Sequence, residues 1–221
     1  MEKYLEMYKR SLDNPDKFWE EEAEKFIWFK KWNKVRDFNY DVRKGNIFIK
    51  WFSGGKTNIT VNCIDRHLKD RGDQTAILWE GNAPGENCAL TYKELHNEVC
   101  RFSNVLRKHG VRKGDRISIY MPMIPELTIS MLACARIGAI HSIVFGGFSS
   151  TALADRITDS DCTCVLTTDG SFRGAKPVPV KDNADEAIRL AAKKGVDVKS
   201  CIVVKRVGSK INADMVPERD H

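Results

Sequence analysis

No apolar run in this chain approaches the ~18 residues that a membrane-spanning helix needs. The N-terminal stretch Met-Glu-Lys-Tyr-Leu-Glu-Met-Tyr-Lys-Arg is charged and has no apolar core of the kind a signal peptide carries. Neither a membrane role nor secretion is therefore expected; the expected location is cytoplasmic. Nor is there an even set of cysteines to form a disulfide framework. Seven are present, and Cys134, Cys162, Cys164 and Cys201 lie inside apolar runs, where thiols pack as small hydrophobes in a reducing compartment. Long blocks of like charge are missing too. The net charge is +6, but Lys and Arg are interleaved with Asp and Glu, with no basic run and no aromatic-studded basic strand pair. Nucleic acid is not an expected partner, while a modest positive excess suits a pocket for an anionic small molecule. Absent as well are internal repeats, a G-x-x-x-x-G-K-[ST] loop, a G-x-G-x-x-G fingerprint and a G-x-S-x-G elbow.

The remainder is an ordinary globular composition. With 42% apolar and 30% charged residues, 221 residues can bury the core of one large domain or one and a half. Residues 1–36 read as helical. Asn14-Pro15-Asp16 is a start signal, and Trp19, Ala23 and Phe26 follow at the spacing of a helix docked by its aromatic face. Glu20, Glu21, Glu22 and Glu24 make that helix acidic, unlike a membrane-surface helix. Residues 37–73 read as irregular, with turn signals at Gly54-Gly55 and Asn62-Cys63 and a short helix from Asp65. Residues 76–79 and 88–90 suit a hairpin. Thr91 and Glu94 form a capping box ahead of the apolar stripe Leu95, Val99, Phe102, Leu106, which Gly110 ends.

From Arg116 onward, apolar strands (116–120, 140–145, 162–168, 201–205) alternate with helices (125–137, 150–160, 184–194). Repeated βαβ units with nearly all-apolar strands imply a parallel sheet covered by helices on both faces. The expected fold class is thus α/β: a mostly helical and irregular segment, residues 1–73, then an α/β part, residues 74–221.

The densest signal is Ile140 to Phe145 followed by Gly146-Gly147, a strand running into a glycine turn, with Ser149 or Ser150 to cap the next helix. In an open parallel sheet, ligands bind at such corners. A neighbouring strand runs into Asp169-Gly-Ser-Phe-Arg-Gly-Ala-Lys-Pro177, which places Arg173 and Lys176 in a glycine-containing loop at the same edge. Anions bind where backbone N–H groups converge and cations complete the site. The residues alone leave two readings open, a phosphate-binding corner and a solvated loop. Cys162-x-Cys164 and Cys63-x-x-x-His67 have metal-like spacings without partners to complete a tetrahedral set, so no metal ligand is assigned. No nucleophile accompanies Asp65-Arg66-His67, so no catalytic residue is assigned either. His141, mid-strand among apolar residues, reads as a satisfied core histidine.

Long motifs in order resemble a known family. Trp51-Phe-Ser-Gly-Gly-Lys-Thr-Asn58, Asn62-Cys-Ile-Asp-Arg-His67, Tyr120-Met-Pro-Met-Ile-Pro-Glu126, Ala135-Arg-Ile-Gly-Ala-Ile-His-Ser-Ile-Val-Phe-Gly-Gly-Phe-Ser149, Asp155-Arg-Ile157 and Arg173-Gly-Ala-Lys176 look like the N-terminal part of the AMP-forming acetyl-CoA synthetases. The resemblance implies a truncated large domain. It also implies that acetate, ATP and coenzyme A give acetyl-CoA, AMP and pyrophosphate through acetyl-adenylate, with propionate as the second acyl candidate. It assigns Arg173, Gly174, Ala175 and Lys176, with Phe145, Gly146 and Gly147, to the phosphorylated adenosine end of coenzyme A. Ala175 replaces a glycine common in that loop, a change that costs little unless the position needs positive φ. In the family, the segment around Asp65–His67 fixes the N-terminal region to the body. The ATP, magnesium, acyl-pocket and catalytic residues are implied to lie beyond His221, so the segment alone is expected to be inactive, with its unmatched sheet flank exposed or paired with another copy in self-association. The alternative is a stand-alone module that binds a phosphorylated nucleotide or a partner without catalysis.

Overall fold

The computed structural model describes residues 1–221, which divide into two units, residues 1–63 and 64–221. The first unit contains α1 (Glu2–Asp13), α2 (Pro15–Ala23), β1 (Lys34–Asn39), β2 (Phe48–Ser53) and α3 (Ile59–Cys63). Helix α2 starts as its sequence predicts. Asn14 accepts from the Lys17 backbone N–H at 3.1 Å, and Pro15 takes the first turn, where no N–H is needed. It ends at Ala23, short of Phe26, and its buried residues are Phe18 and Ala23, while Trp19 is 43% exposed. The reading of 37–73 as irregular is corrected here. Strands β1 and β2 pair antiparallel, Lys34 opposite Ser53 and Asn39 opposite Phe48. Charged residues at 34, 36, 37 and 50 hide the alternation. The pair is instead marked by a guanidinium on rings: Arg36 lies 4.7 Å from the Phe38 centroid and 5.8 Å from that of Trp51. Trp28, Trp32 and Phe52 form the unit's aromatic centre, with centroids 4.9–5.5 Å apart.

The second unit runs α4 (Leu68–Arg71), β3 (Thr75–Glu80), β4 (Asn87–Thr91), α5 (Tyr92–Lys108), β5 (Arg116–Met121), α6 (Pro125–Ile137), β6 (Ile140–Phe145), α7 (Ser150–Ser160), β7 (Cys164–Thr168), β8 (Gly170–Arg173), β9 (Lys176–Pro179), α8 (Val180–Lys193) and β10 (Ser200–Val204). The division between units follows Cys63, where the sequence boundary was drawn after Asp73. The reason is physical: Ile64 is fully buried in this unit's core, and Asp65 receives both guanidinium nitrogens of Arg136 on α6. Strands β3 and β4 form the expected antiparallel hairpin, and the Thr91–Glu94 capping box opens α5.

The sheet is parallel, in the order β10-β7-β5-β6. Strand β5 sorts the helices, because successive side chains point to opposite faces. Ile117, Ile119 and Met121 join the core with Leu95, Val99 and Leu106 of α5 and Leu127, Ala133 and Cys134 of α6. Tyr120 joins the other core, with Leu153, Ala154 and Ile157 of α7 and Ala184, Ala187 and Ala191 of α8. Fully burying an isoleucine side chain such as Ile117 or Ile119 contributes about 1.5–3 kcal/mol. Both faces are thus covered as predicted. Cys162 lies just before β7 in the α7–α8 core, and Cys164 faces the α5–α6 core, so the two do not share a strand face. Helix α8 begins at Val180, four residues before the sequence pattern suggested, directly after Pro179. Pro177 and Pro179 in β9 stand opposite Phe172 and Gly170 of β8.

The two sheet edges differ. On β10, the backbone of Cys201 bonds to Arg219 and His221, and Val203 donates to His221 at 2.8 Å. A buried ionic cluster holds that segment in place. Lys181, fully buried, places its ammonium 2.7 Å from both Asp185 and Asp220 and 3.1 Å from the Asp214 carbonyl, and Arg219 pairs with both acids. On β6, by contrast, Ile140, Ile143 and Phe145 are exposed, and His141 is half-buried, its pKa lowered by burial.

Burial alone would raise the Asp220 carboxyl, but Arg219 and Lys181 outweigh it and hold it down at about 2, from 3.8. A depressed carboxylate stabilises the fold above its unfolded pKa and loses that contribution as pH falls through the folded one. Stability of the chain should therefore drop between about pH 4 and pH 2 by roughly 2 kcal/mol from this group. Asp220→Asn should lack that part of the acid limb in urea unfolding followed against pH. Lys181→Met, which strands two acids on one guanidinium, should cost about 3 kcal/mol at neutral pH.

Candidate functional site

Strand order reverses between β5 and β7: the chain passes from β5 outward to β6 on one side, then returns to β7 on the other. The C-terminal ends of these strands form the crevice where ligands bind in open α/β sheets. Three pieces of chain meet there: Met121-Pro122 at the end of β5, Phe145–Ser149 at the end of β6, and the β8–β9 hairpin after β7.

The glycine corner is built on close approach. Neither Gly146 nor Gly147 has positive φ. Gly146 is required for another reason: a Cβ there would stand 2.9 Å from the Met121 carbonyl oxygen and 3.1 Å from the Pro122 nitrogen, both backbone atoms. The turn closes with Phe148 donating to the Phe145 carbonyl at 2.9 Å, and Ser149 caps α7 through the Ala152 N–H. Tyr120 locks it from below, its hydroxyl donating to the Phe148 carbonyl at 2.7 Å while Asn183 donates to that hydroxyl at 3.4 Å. Burial pushes the Tyr120 phenol up, so it stays a donor. The sequence marks Tyr120 as the start of a family-like motif but gives its hydroxyl no role; a tyrosine ending an isoleucine-rich strand, with an apolar body and a polar tip, is the available signal.

Residues 170–179 are not a plain loop. They form a two-stranded antiparallel hairpin whose two-residue turn is Gly174-Ala175, with Arg173 opposite Lys176. Gly174 has φ +57°, the positive value that primed hairpin turns require at their first position. Ala175 is not among the positive-φ residues, so its methyl group sits without strain. Arg173, Gly174, Ala175 and Lys176 are all exposed, and neither cation is ion-paired. The hairpin reaches the glycine corner: a Cβ on Gly147 would stand 3.5 Å from an Arg173 guanidinium nitrogen. The structure therefore brings Phe145, Gly146 and Gly147 beside Arg173, with Gly174, Ala175 and Lys176 on the same turn.

Asp169, at the root of the hairpin, is engaged. Its carboxylate accepts from the backbone N–H groups of Gly170, Arg206 and Gly208 at 2.7 Å and of Val207 at 3.0 Å. Burial would raise its pKa, but these donors lower it overall, and a carboxylate so occupied is an anchor, not a base. Thr168, beside it, carries a buried hydroxyl without a partner. Asp65 is likewise held by Arg136, and the His67 ring packs on Tyr92 at 5.0 Å. This edge can hold an anion through Arg173, Lys176 and backbone donors; it has no nucleophile–base pair.

Comparison with known proteins agrees with this fold. The model of the AMP-binding enzymes matches residues 64–220, and that of the acetyl-coenzyme A synthetase N-terminus matches residues 4–63. The chain belongs to the AMP-binding enzyme family. Within it, the chain is 55% identical over 217 residues to the acetyl-coenzyme A synthetase of Mesorhizobium japonicum, covering 98% of this chain and 33% of that protein. It is 52% identical over 219 residues to that of Agrobacterium fabrum, covering 99% and 33%. The acetoacetyl-CoA synthetase structure from Streptomyces lividans superposes with a TM-score of 0.81 at 25% identity, covering 96% of this chain and 31% of that one. The chain thus spans about a third of the length of the curated relatives it matches.

The glycines separate by mechanism in a stability series. Gly146→Ala meets backbone that cannot yield and should cost about 1–3 kcal/mol. Gly174→Ala, at positive φ, should cost about 1–2 kcal/mol. Ala175→Gly should stay within about 1 kcal/mol of the parent. Urea unfolding of the three variants gives the order; no effect at Gly146 would mean that the β5 and β6 ends stand farther apart than described.

Proposed function

We propose that this chain is the N-terminal part of an acetate–CoA ligase and that it supplies the wall against which the phosphorylated adenosine end of coenzyme A rests. The observation that carries this reading is the pair of unpaired cations, Arg173 and Lys176, held on a turn beside Gly147 in a chain whose relatives are acetyl-coenzyme A synthetases. Arg173 clamps a phosphate with two parallel hydrogen bonds, and Lys176 adds a mobile point charge. Gly147 leaves room for the ligand beside the guanidinium, and the Phe145 side chain borders the corner.

The complete reaction joins acetate and ATP into acetyl-adenylate and pyrophosphate, then lets the coenzyme A thiol displace AMP. Adenylation replaces a poor carboxylate leaving group with a good one. ATP and its magnesium ion bind to residues outside this segment, as does the acyl group, for which acetate is the first candidate and propionate the second. The ligase works in the cytoplasm on small molecules; no helix of the chain is long and apolar enough to cross a membrane. The exposed apolar edge of β6 makes self-association of the isolated segment the expected behaviour.

Losing a charged hydrogen-bond partner costs about 1.5–3 kcal/mol, less where salt screens an exposed site. In the complete ligase, Arg173→Glu should raise the KM for coenzyme A roughly tenfold to a hundredfold. Acetate-dependent ATP–pyrophosphate exchange, which does not use the thiol, should be unchanged. An equal loss of both activities would place the turn in folding or ATP binding instead. The isolated 221-residue chain, given ATP, magnesium and acetate, should form no acetyl-AMP; product above background would put the active site inside this segment.

A further inference from the structure

The β8–β9 hairpin has four residues in each strand and an exposed tip. A hairpin this short does not hold its shape alone, so the direction in which its turn faces is set by what braces it. The brace comes from the loop between β3 and β4. The Asn82 side-chain amide donates to the Gly174 carbonyl in the middle of the turn. Glu86 fixes Asn82 in turn, accepting the backbone N–H groups of Asn82 at 2.9 Å and Ala83 at 3.3 Å. Its other carboxylate oxygen pairs with Arg206 at 2.5 Å. The Arg206 guanidinium lies 5.4 Å from the ring centroids of both Trp79, on β3, and Phe172, the residue before Arg173. Lys210 covers Phe172 as well, at 5.0 Å. Loop and hairpin are thus riveted together at two points, the Arg206 stack at the base and the Asn82 amide at the tip.

In a trans peptide, the carbonyl and the following N–H point in opposite directions. A donor that holds the Gly174 carbonyl towards Asn82 therefore turns the Ala175 N–H to the opposite side, where it has no partner within the chain. It also keeps the negative end of that peptide dipole away from an incoming anion. We propose that Asn82 is a positioning residue for coenzyme A binding: it sets the Gly174–Ala175 peptide so that the Ala175 N–H joins Arg173 and Lys176 in meeting the ligand's phosphate. This inference rests on the reading of the turn as the coenzyme A nucleotide site.

The test uses the complete ligase carrying Asn82→Ala, Arg173→Ala or both, with coenzyme A and with coenzyme A lacking its 3′-phosphate as acceptors. Asn82 is exposed, so the variant should fold and unfold like the parent. Asn82→Ala should raise the KM for coenzyme A about fivefold, the size of one net hydrogen bond, with kcat at saturating coenzyme A within about twofold. The effect should shrink for the dephosphorylated acceptor. On the Arg173→Ala background it should add less than about twofold, because residues acting through one phosphate couple. Equal effects on both acceptors, or full multiplication in the double variant, would show that Asn82 supports the fold and not the turn. A KM raised by Arg173→Ala but not by Asn82→Ala would overturn the positioning role alone. If Arg173→Ala leaves the coenzyme A KM untouched, the site itself is elsewhere and this inference falls with it.

Discussion

The Asp169 carboxylate gathers the backbone N–H groups of Gly170, Arg206, Val207 and Gly208, and through them it joins the end of β7, the root of the hairpin and the chain leaving β10. The hairpin side of the candidate site hangs from that junction. The hairpin springs from Gly170, the bracing guanidinium belongs to Arg206, and the cation over Phe172 comes from Lys210, two residues past Gly208. Charge-assisted bonds of this type are stronger than neutral ones, and here they form where burial would otherwise penalise the acid. An alanine at this position would leave several backbone donors without partners and the hairpin without a root.

The site combines rigid and exposed parts in a definite order. Its floor is strand β5, buried on both faces, with Tyr120 bonded upward to the glycine turn. Its wall is a polar hairpin whose cations face solvent. Geometry is held from beneath, while the exposed cations Arg173 and Lys176 are hydrated and free of competing acids. The acids nearby are already spent, Asp169 on backbone donors and Glu86 on Arg206, whose pairing keeps the Glu86 carboxyl at about 2.

Much of this was legible in the sequence because it is written in local patterns. The capping box at Thr91, the apolar period of β5 and its neighbours, and Gly138 closing α6 in the left-handed conformation all follow from short-range rules. The cluster of Phe145, Gly146, Gly147 and Arg173 was anticipated as well, since βαβ order brings strand ends to one edge. The hidden parts depend on distant partners. Strands β1 and β2 carry charged residues whose cationic ends lie on rings of the strand pair itself, Arg36 on Phe38 and Trp51 and Lys50 on Phe48, so no alternation shows. The hairpin at 170–179 reads as a loop because its prolines imitate breakers. Asn82, Glu86 and Arg206 are ordinary polar residues until the fold places 82 beside 174 and 86 beside 206.

Those prolines have a further effect. In an antiparallel pair, alternate residues direct their N–H groups away from the partner strand. In β9 the residues between the bonded positions are Pro177 and Pro179, so the outer side of β9 offers carbonyl acceptors and no amide donors. An extended peptide zipping along that side would find half of its ladder missing. The β9 margin of the hairpin is thus closed to strand addition, while its exposed tip stays open to a compact ligand.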